Sequence, residues 1–275
     1  PISYSGQRQA NNVEMEWYYK GDQYDSEYLA SEAKASLHLG DFDYMLSTQK
    51  TPRPTGGVDF PFEHLASVVR FFLRTPNTVT GVYHFNRIWV VAPKPIFYTQ
   101  ATVDMSNCTE QPIVAEKHLT RTGEPSKALC LSLGSDDEDD DVPPYFVMNY
   151  PTEKYSRYIV AYMMLNPVNL GAKDYTVTSG DFTKNFPPVL EDTDEIHLYL
   201  EGVKVKDEYG VDVNEPAIFK TAPLEHKNFK AGYVYQWTDN SLKVADPILL
   251  EPIEIEDWNA LDIDNTVNGN GTSLW

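Results

Sequence analysis

The chain has 275 residues, with 41 acidic and 22 basic side chains and a formal net charge of −19 at pH 7. This charge argues against a nucleic-acid partner, because phosphates bind to a basic face, and against electrostatic docking on an anionic membrane. Apolar residues make up 41% of the chain and aromatic residues 13%, which indicates a globular protein and excludes a disordered one. The length fits two domains or one large β domain, and either buries enough apolar surface to fold without disulfides or metals.

Strand patterns dominate the first half of the chain. Strands are predicted at Val68–Leu73, Val82–Val91, Ile96–Val103 and Leu129–Leu133. The first of these is apolar on both faces, which is typical of a strand covered on both sides. The apolar spacing of Tyr28–Leu39 fits a short helix or a strand, and both interpretations stay open.

The composition changes abruptly at residues 135–141, which read Ser-Asp-Asp-Glu-Asp-Asp-Asp and precede Val142-Pro-Pro144. Clustered like charges repel and cannot be buried, and the prolyl pair stiffens the chain that follows. The run predicts a boundary between an N-terminal domain, residues 1–141, and a C-terminal domain, residues 142–275, with a long hairpin loop as the alternative. An EF-hand calcium loop needs glycine at the position of Asp141. We therefore expect a solvated run that holds no metal.

The second half is also rich in β-forming residues. Strands are predicted at Tyr158–Leu165, Tyr175–Thr178, Ile196–Leu200, Val203–Lys206, Val211–Val213, Tyr233–Trp237 and Ile253–Glu256. In the last of these, isoleucine and glutamate alternate, which is typical of a sheet with one solvent-exposed face. No repeat of 20–50 residues is visible, which disfavours a propeller or a solenoid. The pattern predicts an all-β protein made of sandwiches, followed by a polar tail.

Catalytic and metal-binding motifs are not found in the sequence. It contains no HExxH, Walker, GxGxxG or GxSxG pattern. The histidines are scattered, and we expect His64 to be structural, with no catalytic partner within hydrogen-bond reach. Neither Cys108 nor Cys130 stands beside a histidine or a helix start that would lower its pKa, and a disulfide between them stays open. The sequence thus predicts no catalytic residue, metal or cofactor, and a protein that is not an enzyme.

Residues 58–71, Val-Asp-Phe-Pro-Phe-Glu-His-Leu-Ala-Ser-Val-Val-Arg-Phe, resemble the hallmark strand of the Bacteroides-type fimbrillins. Asp43-Tyr-Met-Leu46 is similar to the short segment that precedes that strand in the family. Pro1–Ser5 resembles the family's first strand. Tyr233–Trp237 and Ile253–Trp258 resemble its closing strands, including the terminal Asp-Trp.

The resemblance implies two transthyretin-like β-sandwiches in tandem. It implies export as a lipoprotein, with a lipidated leader that this sequence does not contain, to the outer-membrane-associated cell surface. The implied role is that of a fimbrial subunit, anchor or tip that supports adhesion. The implied partners are other fimbrial subunits and a host surface protein or glycan.

The resemblance also implies assembly by strand exchange. In the family, proteolysis after an arginine removes the first strand, and a terminal strand of a neighbouring subunit fills the groove. Arg8 follows a first strand that contains Ile2 and Tyr4, so Arg8 is the candidate processing site. Near the C-terminus, Leu261 and Ile263 have the period-two spacing of a donor strand.

Two other functions remain as alternatives. A surface carbohydrate-binding lipoprotein could stack sugar rings on Trp17, Tyr18 and Tyr19. A hydrolase with an unrecognised site would require a pocket of converging side chains with perturbed pKa values.

Overall fold

The computed structural model describes residues 2–3, 7–9, 14–17, 37–48, 60, 62–73, 80–106, 108–109, 113–133, 146–149, 156–171, 173–225, 228–239 and 243–244. These residues form mainly strands, together with one 3-10 helix (Leu37–Asp41) and one short α-helix, α1 (Ala115–His118). The strands are β1 (Ile2–Ser3), β2 (Arg8–Gln9), β3 (Glu14–Trp17), β4 (Met45–Ser47), β5 (Phe62–His64), β6 (Ser67–Leu73), β7 (Val82–Val91), β8 (Gln100–Val103), β9 (Leu119–Thr122), β10 (Ala128–Leu133), β11 (Phe146–Asn149), β12 (Ser156–Leu165), β13 (Val168–Asn169), β14 (Tyr175–Ser179), β15 (Phe182–Phe186), β16 (His197–Lys206), β17 (Asp212–Lys220), β18 (Asn228–Phe229), β19 (Val234–Asp239) and β20 (Lys243–Val244). The predicted all-β class is confirmed.

Three sheets organise these strands. The seven-stranded sheet has the order β2-β10-β7-β16-β17-β20, with β11 also paired to β7. The four-stranded sheet has the order β19-β6-β12-β3, and the three-stranded sheet has the order β1-β8-β9. Two-stranded ribbons join β4 to β5, β13 to β18, and β14 to β15.

The main core combines side chains from the seven-stranded and four-stranded sheets. Phe85 and Phe219 contribute from the former, and Phe71, Met163 and Trp237 from the latter. The three phenylalanines and Met163 are fully buried, and burying such a side chain stabilises the fold by about 1.5–3 kcal/mol. One contiguous core of this kind is what holds two packed sheets together.

A bulge in β7 changes which side chains reach that core. β16 pairs Glu201 with Arg87 and the next residue, Gly202, with Phe85, so Asn86 is the extra residue. A Cβ atom on Gly202 would overlap the carbonyl oxygen of His84 and lie 2.7 Å from the Cα of Phe85. Glycine permits this close approach of two backbones. The two strands predicted on either side of Gly202 are therefore one strand, β16.

The same extra residue marks a break on the other edge of β7. β16 occupies one edge of β7 along its length, so β10 and β11 share the other. The β10 ladder ends with Ser132 opposite Arg87, and the β11 ladder begins with Phe146 opposite Phe85. The acidic run, residues 135–141, falls between these strands in sequence and lies outside the described residues. The described strands before and after the predicted boundary at residues 141 and 142 thus belong to one sheet, and a tandem transthyretin-like arrangement is not confirmed.

Other predicted elements differ in extent. Of Ile96–Val103, only the part from Gln100 forms a strand, while Phe97 makes an isolated bridge to Ser126. The predicted Val211–Val213 strand continues to Lys220 through Pro216, which pairs with Val203. Proline is tolerated there because β20 covers the other edge of β17 only near its end. Most of Tyr28–Leu39 and all of Ile253–Glu256 lie outside the described residues.

Candidate functional site

The N-terminal segment, meaning the described residues among 2–9, contacts all three sheets. Ile2 in β1 pairs opposite Ala101 of β8, in the three-stranded sheet. Arg8 in β2 pairs in parallel with Ser132 of β10, in the seven-stranded sheet. Between these two strands, Gln7 is buried and contacts β12 of the four-stranded sheet. One short stretch of chain therefore ties three sheet edges together.

Gln7 forms the contact with the four-stranded sheet through its side-chain amide. Its Nε2 donates to the carbonyl oxygen of Met164 at 2.6 Å, and the backbone N–H of Met164 donates to its Oε1 at 2.6 Å. These are the two bonds that a residue of a neighbouring strand would make. Met164 lies opposite Val68 of β6, and β3 covers the outer edge of β12 only at Ser156–Ile159. Gln7 thus closes the edge of β12 beyond the end of the β3 ladder.

A histidine covers the same edge between the β3 ladder and Gln7. The Nε2 of His38, in the 3-10 helix, lies 3.0 Å from the carbonyl oxygen of Tyr162. A carbonyl only accepts hydrogen bonds, so Nε2 carries the proton and donates. The outer edge of β12 is therefore covered by β3, His38 and Gln7 in turn. Proteins cover sheet edges because unpaired backbone groups recruit other strands.

The structure describes two of the five residues predicted to act in assembly. Ile2 is half-buried and packs against the small cluster around Ala101 and Leu119. Arg8, the candidate processing site, is half-buried within the β2–β10 ladder. A protease needs a strand that has separated from its neighbours, so cleavage after Arg8 requires local opening. Tyr4, Leu261 and Ile263 lie outside the described residues, and the donor strand stays a prediction.

His64 forms a surface pair with the carboxylate of Asp43. Its Nδ1 lies 2.7 Å from Asp43 Oδ1, and the His64 side chain is 51% exposed. The pairing of Met45 with His64 between β4 and β5 brings the Asp43 segment alongside. No hydroxyl or thiol of the described residues is bonded to this pair. An exposed pair of this kind contributes at most about 1 kcal/mol to stability, and the structural role of His64 stays a prediction.

Cys108 lies beside His118, although no histidine is next to it in the sequence. The Sγ of Cys108 is 3.6 Å from His118 Nδ1, and that nitrogen is 2.9 Å from the carbonyl oxygen of Asp104. Because the carbonyl accepts, Nδ1 carries a proton and cannot take one from the thiol. Burial, and then the charge of Asp104, raise the pKa of Cys108. The thiol is therefore neutral and poorly nucleophilic. No disulfide joins Cys108 to Cys130.

Arg121 borders a small cavity that is lined mostly by apolar side chains. Its guanidinium lies 5.9 Å from the centre of the Tyr98 ring, and desolvation lowers its pKa. The cavity has a volume of about 10 Å³ and is also lined by Asn166, whose Oδ1 is buried without a partner among the described residues. Such a volume holds about one water molecule, whereas small-molecule sites measure about 300–1,000 Å³. The cavity has room for a bridging water but not for a substrate.

Other candidate features fall partly outside the description. Among the described residues, no group of three or more His, Cys, Asp or Glu side chains is placed to hold a metal. Trp17 lies in β3, but its side chain is outside the description, as are Tyr18 and Tyr19 entirely. Within the described ranges, no helix is both long enough and apolar enough to cross a membrane.

No protein-family model and no curated protein sequence matches this chain. The resemblance to fimbrillins therefore rests on the residues quoted above.

Proposed function

We propose that the protein is an exported structural or adhesion subunit of a fimbrium that assembles with other subunits by β-strand exchange. The observation that carries this proposal is the N-terminal segment, which covers the edges of β8, β10 and β12 through short contacts. A segment of this kind can be removed without cutting through the main core. The resemblance of residues 58–71 to the fimbrillin hallmark supports the same function.

The energetics of strand removal favour exchange. Cleavage after Arg8 would remove β1 and Gln7, and would leave the backbone groups that they bond without partners. A buried unpaired backbone group costs about 1–3 kcal/mol. An incoming strand restores these bonds and gains affinity from them. Leu261 and Ile263 have the spacing needed to place two apolar side chains on one face of such a strand.

The remaining parts of the proposal follow from the same function. The subunit would lie on the cell surface, outside the outer membrane, after processing of a lipoprotein precursor. Its partners would be other fimbrial subunits and a host protein or glycan, and it would need no cofactor. We expect no enzymatic activity.

Size-exclusion chromatography with light scattering tests this function. Three chains are compared at several concentrations: the full chain, the chain that begins at Gln9, and the chain that begins at Gln9 and ends at Ala260. We expect the full chain to be monomeric, the trimmed chain to form multimers, and the doubly trimmed chain to be monomeric. Circular dichroism checks that all three remain folded. Folded monomers of the singly trimmed chain, or multimers of the doubly trimmed chain, would refute strand exchange.

A further inference from the structure

The attachment of the N-terminal segment is uneven along its length. β1 and β2 each contribute two paired residues, and two-residue ladders are weak by themselves. Gln7 is 4% exposed, makes two side-chain bonds of 2.6 Å to Met164, and accepts a bond from the N–H of Ser132 through its own carbonyl oxygen. Gln7 is therefore held both through its side chain and through its backbone.

Met164 selects for one kind of side chain. It presents a backbone N–H and a C=O side by side on the outer edge of β12, so its partner must accept and donate in one plane. A primary carboxamide does both. An ionised carboxylate only accepts and would face the Met164 carbonyl oxygen, while a thioether makes no strong bond. Asparagine has the amide but is one methylene shorter than glutamine.

From this geometry we infer that the edge of β12 at Met164 is a recognition site for a glutamine side chain, and that Gln7 acts there as a latch on the N-terminal segment. The inference deepens the proposed function, on which it rests, because it names the residue that regulates release of the first strand. Gln7 immediately precedes Arg8, so one local opening frees the latch and exposes the candidate cleavage site. While the latch is closed, Arg8 stays in the β2–β10 ladder and resists proteolysis.

The first test uses the intact chain and trypsin as the probe. The rate of cleavage after Arg8 is followed by mass spectrometry in the wild type and in Gln7→Met, which keeps the length of the side chain and removes both bonds. When closing is faster than cleavage, the rate follows the population of the opened segment. We expect cleavage about thirtyfold faster in Q7M, the effect of losing two hydrogen bonds of about 1 kcal/mol each at 1.4 kcal/mol per tenfold.

A control variant separates local release from general instability. Phe219→Leu loosens the contacts of β17 with Tyr83 and Phe85, and three strands separate β17 from β2 in the seven-stranded sheet. We expect F219L to lower the urea midpoint while accelerating cleavage after Arg8 far less than Q7M does. Equal acceleration in Q7M and F219L, or cleavage of Q7M at the wild-type rate, would overturn the latch.

A second variant tests the chemistry of the site. In Gln7→Glu the side chain fails as a partner when ionised, but a protonated carboxyl group again offers one donor and one acceptor. We expect the urea midpoint of Q7E to lie below that of Q7M at pH 7.5 and above it at pH 4. If Q7E stays below Q7M at both values, the site does not recognise a donor–acceptor pair. These measurements concern the intact monomer. A trimmed chain that fails to self-associate would therefore refute strand exchange but would not contradict the role of Gln7 as a latch.

Discussion

Gly202→Ala tests the bulge that aligns β7 with β16. An added Cβ would overlap the carbonyl oxygen of His84 and lie 2.7 Å from the Cα of Phe85. Overpacking costs about 1–3 kcal/mol and occasionally more. Here the cost falls at the upper end, because the opposing atoms are backbone atoms of a strand that is paired on both edges. We therefore expect G202A to lower the free energy of unfolding by about 3 kcal/mol.

Urea denaturation measures this loss, and Gly40→Ala provides the matched control. Gly40 lies in the 3-10 helix with no atom within 4 Å of the position of an added Cβ. We expect G40A to change the free energy of unfolding by less than about 1 kcal/mol, and in the stabilising direction, because alanine narrows the unfolded ensemble. With an unchanged m-value, the midpoint of G202A should fall by about 1 M. Equal midpoints for the two variants would refute the alignment that makes Asn86 the extra residue.

Three further predictions concern buried or paired polar groups. Burial raises the pKa of Tyr175, whose hydroxyl has no hydrogen-bond partner among the described residues, so the free energy of unfolding of the wild type should fall above about pH 10, the ordinary tyrosine pKa. In urea titrations above that pH, the stability of Y175F relative to the wild type should therefore rise, and a difference that stays constant with pH would contradict this. Cys108 should resist iodoacetamide at pH 7.5 in the folded chain and react after unfolding, because its thiol is buried and its pKa is raised. Mass spectrometry measures the labelling, and rapid labelling of the native protein would contradict this prediction. A double-mutant cycle of D43A and H64A should give a coupling energy below about 1 kcal/mol at pH 7, since the pair is exposed; a coupling above 2 kcal/mol would show that it has a larger structural role.

The sequence predicted long strands well where turn residues bounded apolar runs. The bounds of β7 match the predicted Val82–Val91, because both ends are marked by a change in composition. No sequence pattern indicates the bulge at Asn86, because a residue is extra only in relation to the pairing of the two neighbouring strands. Gly202 was interpreted as a break between strands, whereas its missing Cβ serves a close backbone approach. The acidic run, residues 135–141, lies outside the described residues, so its exposure stays a prediction, and composition cannot say which strands pair on either side of it.

The candidate site was only partly accessible to sequence reasoning. Ile2 and Arg8 were selected by resemblance to a family, and both lie in strands that cover sheet edges. Gln7 was missed, because a buried amide in the polar stretch after Gly6 looks like any exposed one and its partner is 157 residues away. The contact of Cys108 with His118 was missed for a similar reason, because the two residues are ten positions apart and nothing in the intervening sequence indicates that they meet.

Hydrogen exchange at the edges of β10 and β12 tests the central claim most directly. In the intact chain the backbone N–H of Met164 donates to Gln7 Oε1, and that of Ser132 donates to the Gln7 carbonyl oxygen. Both amides should exchange slowly in the full chain and at least about tenfold faster in the doubly trimmed monomer, which begins at Gln9 and ends at Ala260, because an amide that loses its acceptor becomes less protected. In the assembled multimer a neighbouring strand should slow both again. Amides that stay slow in the trimmed monomer, or stay fast in the multimer, would contradict strand exchange at this site.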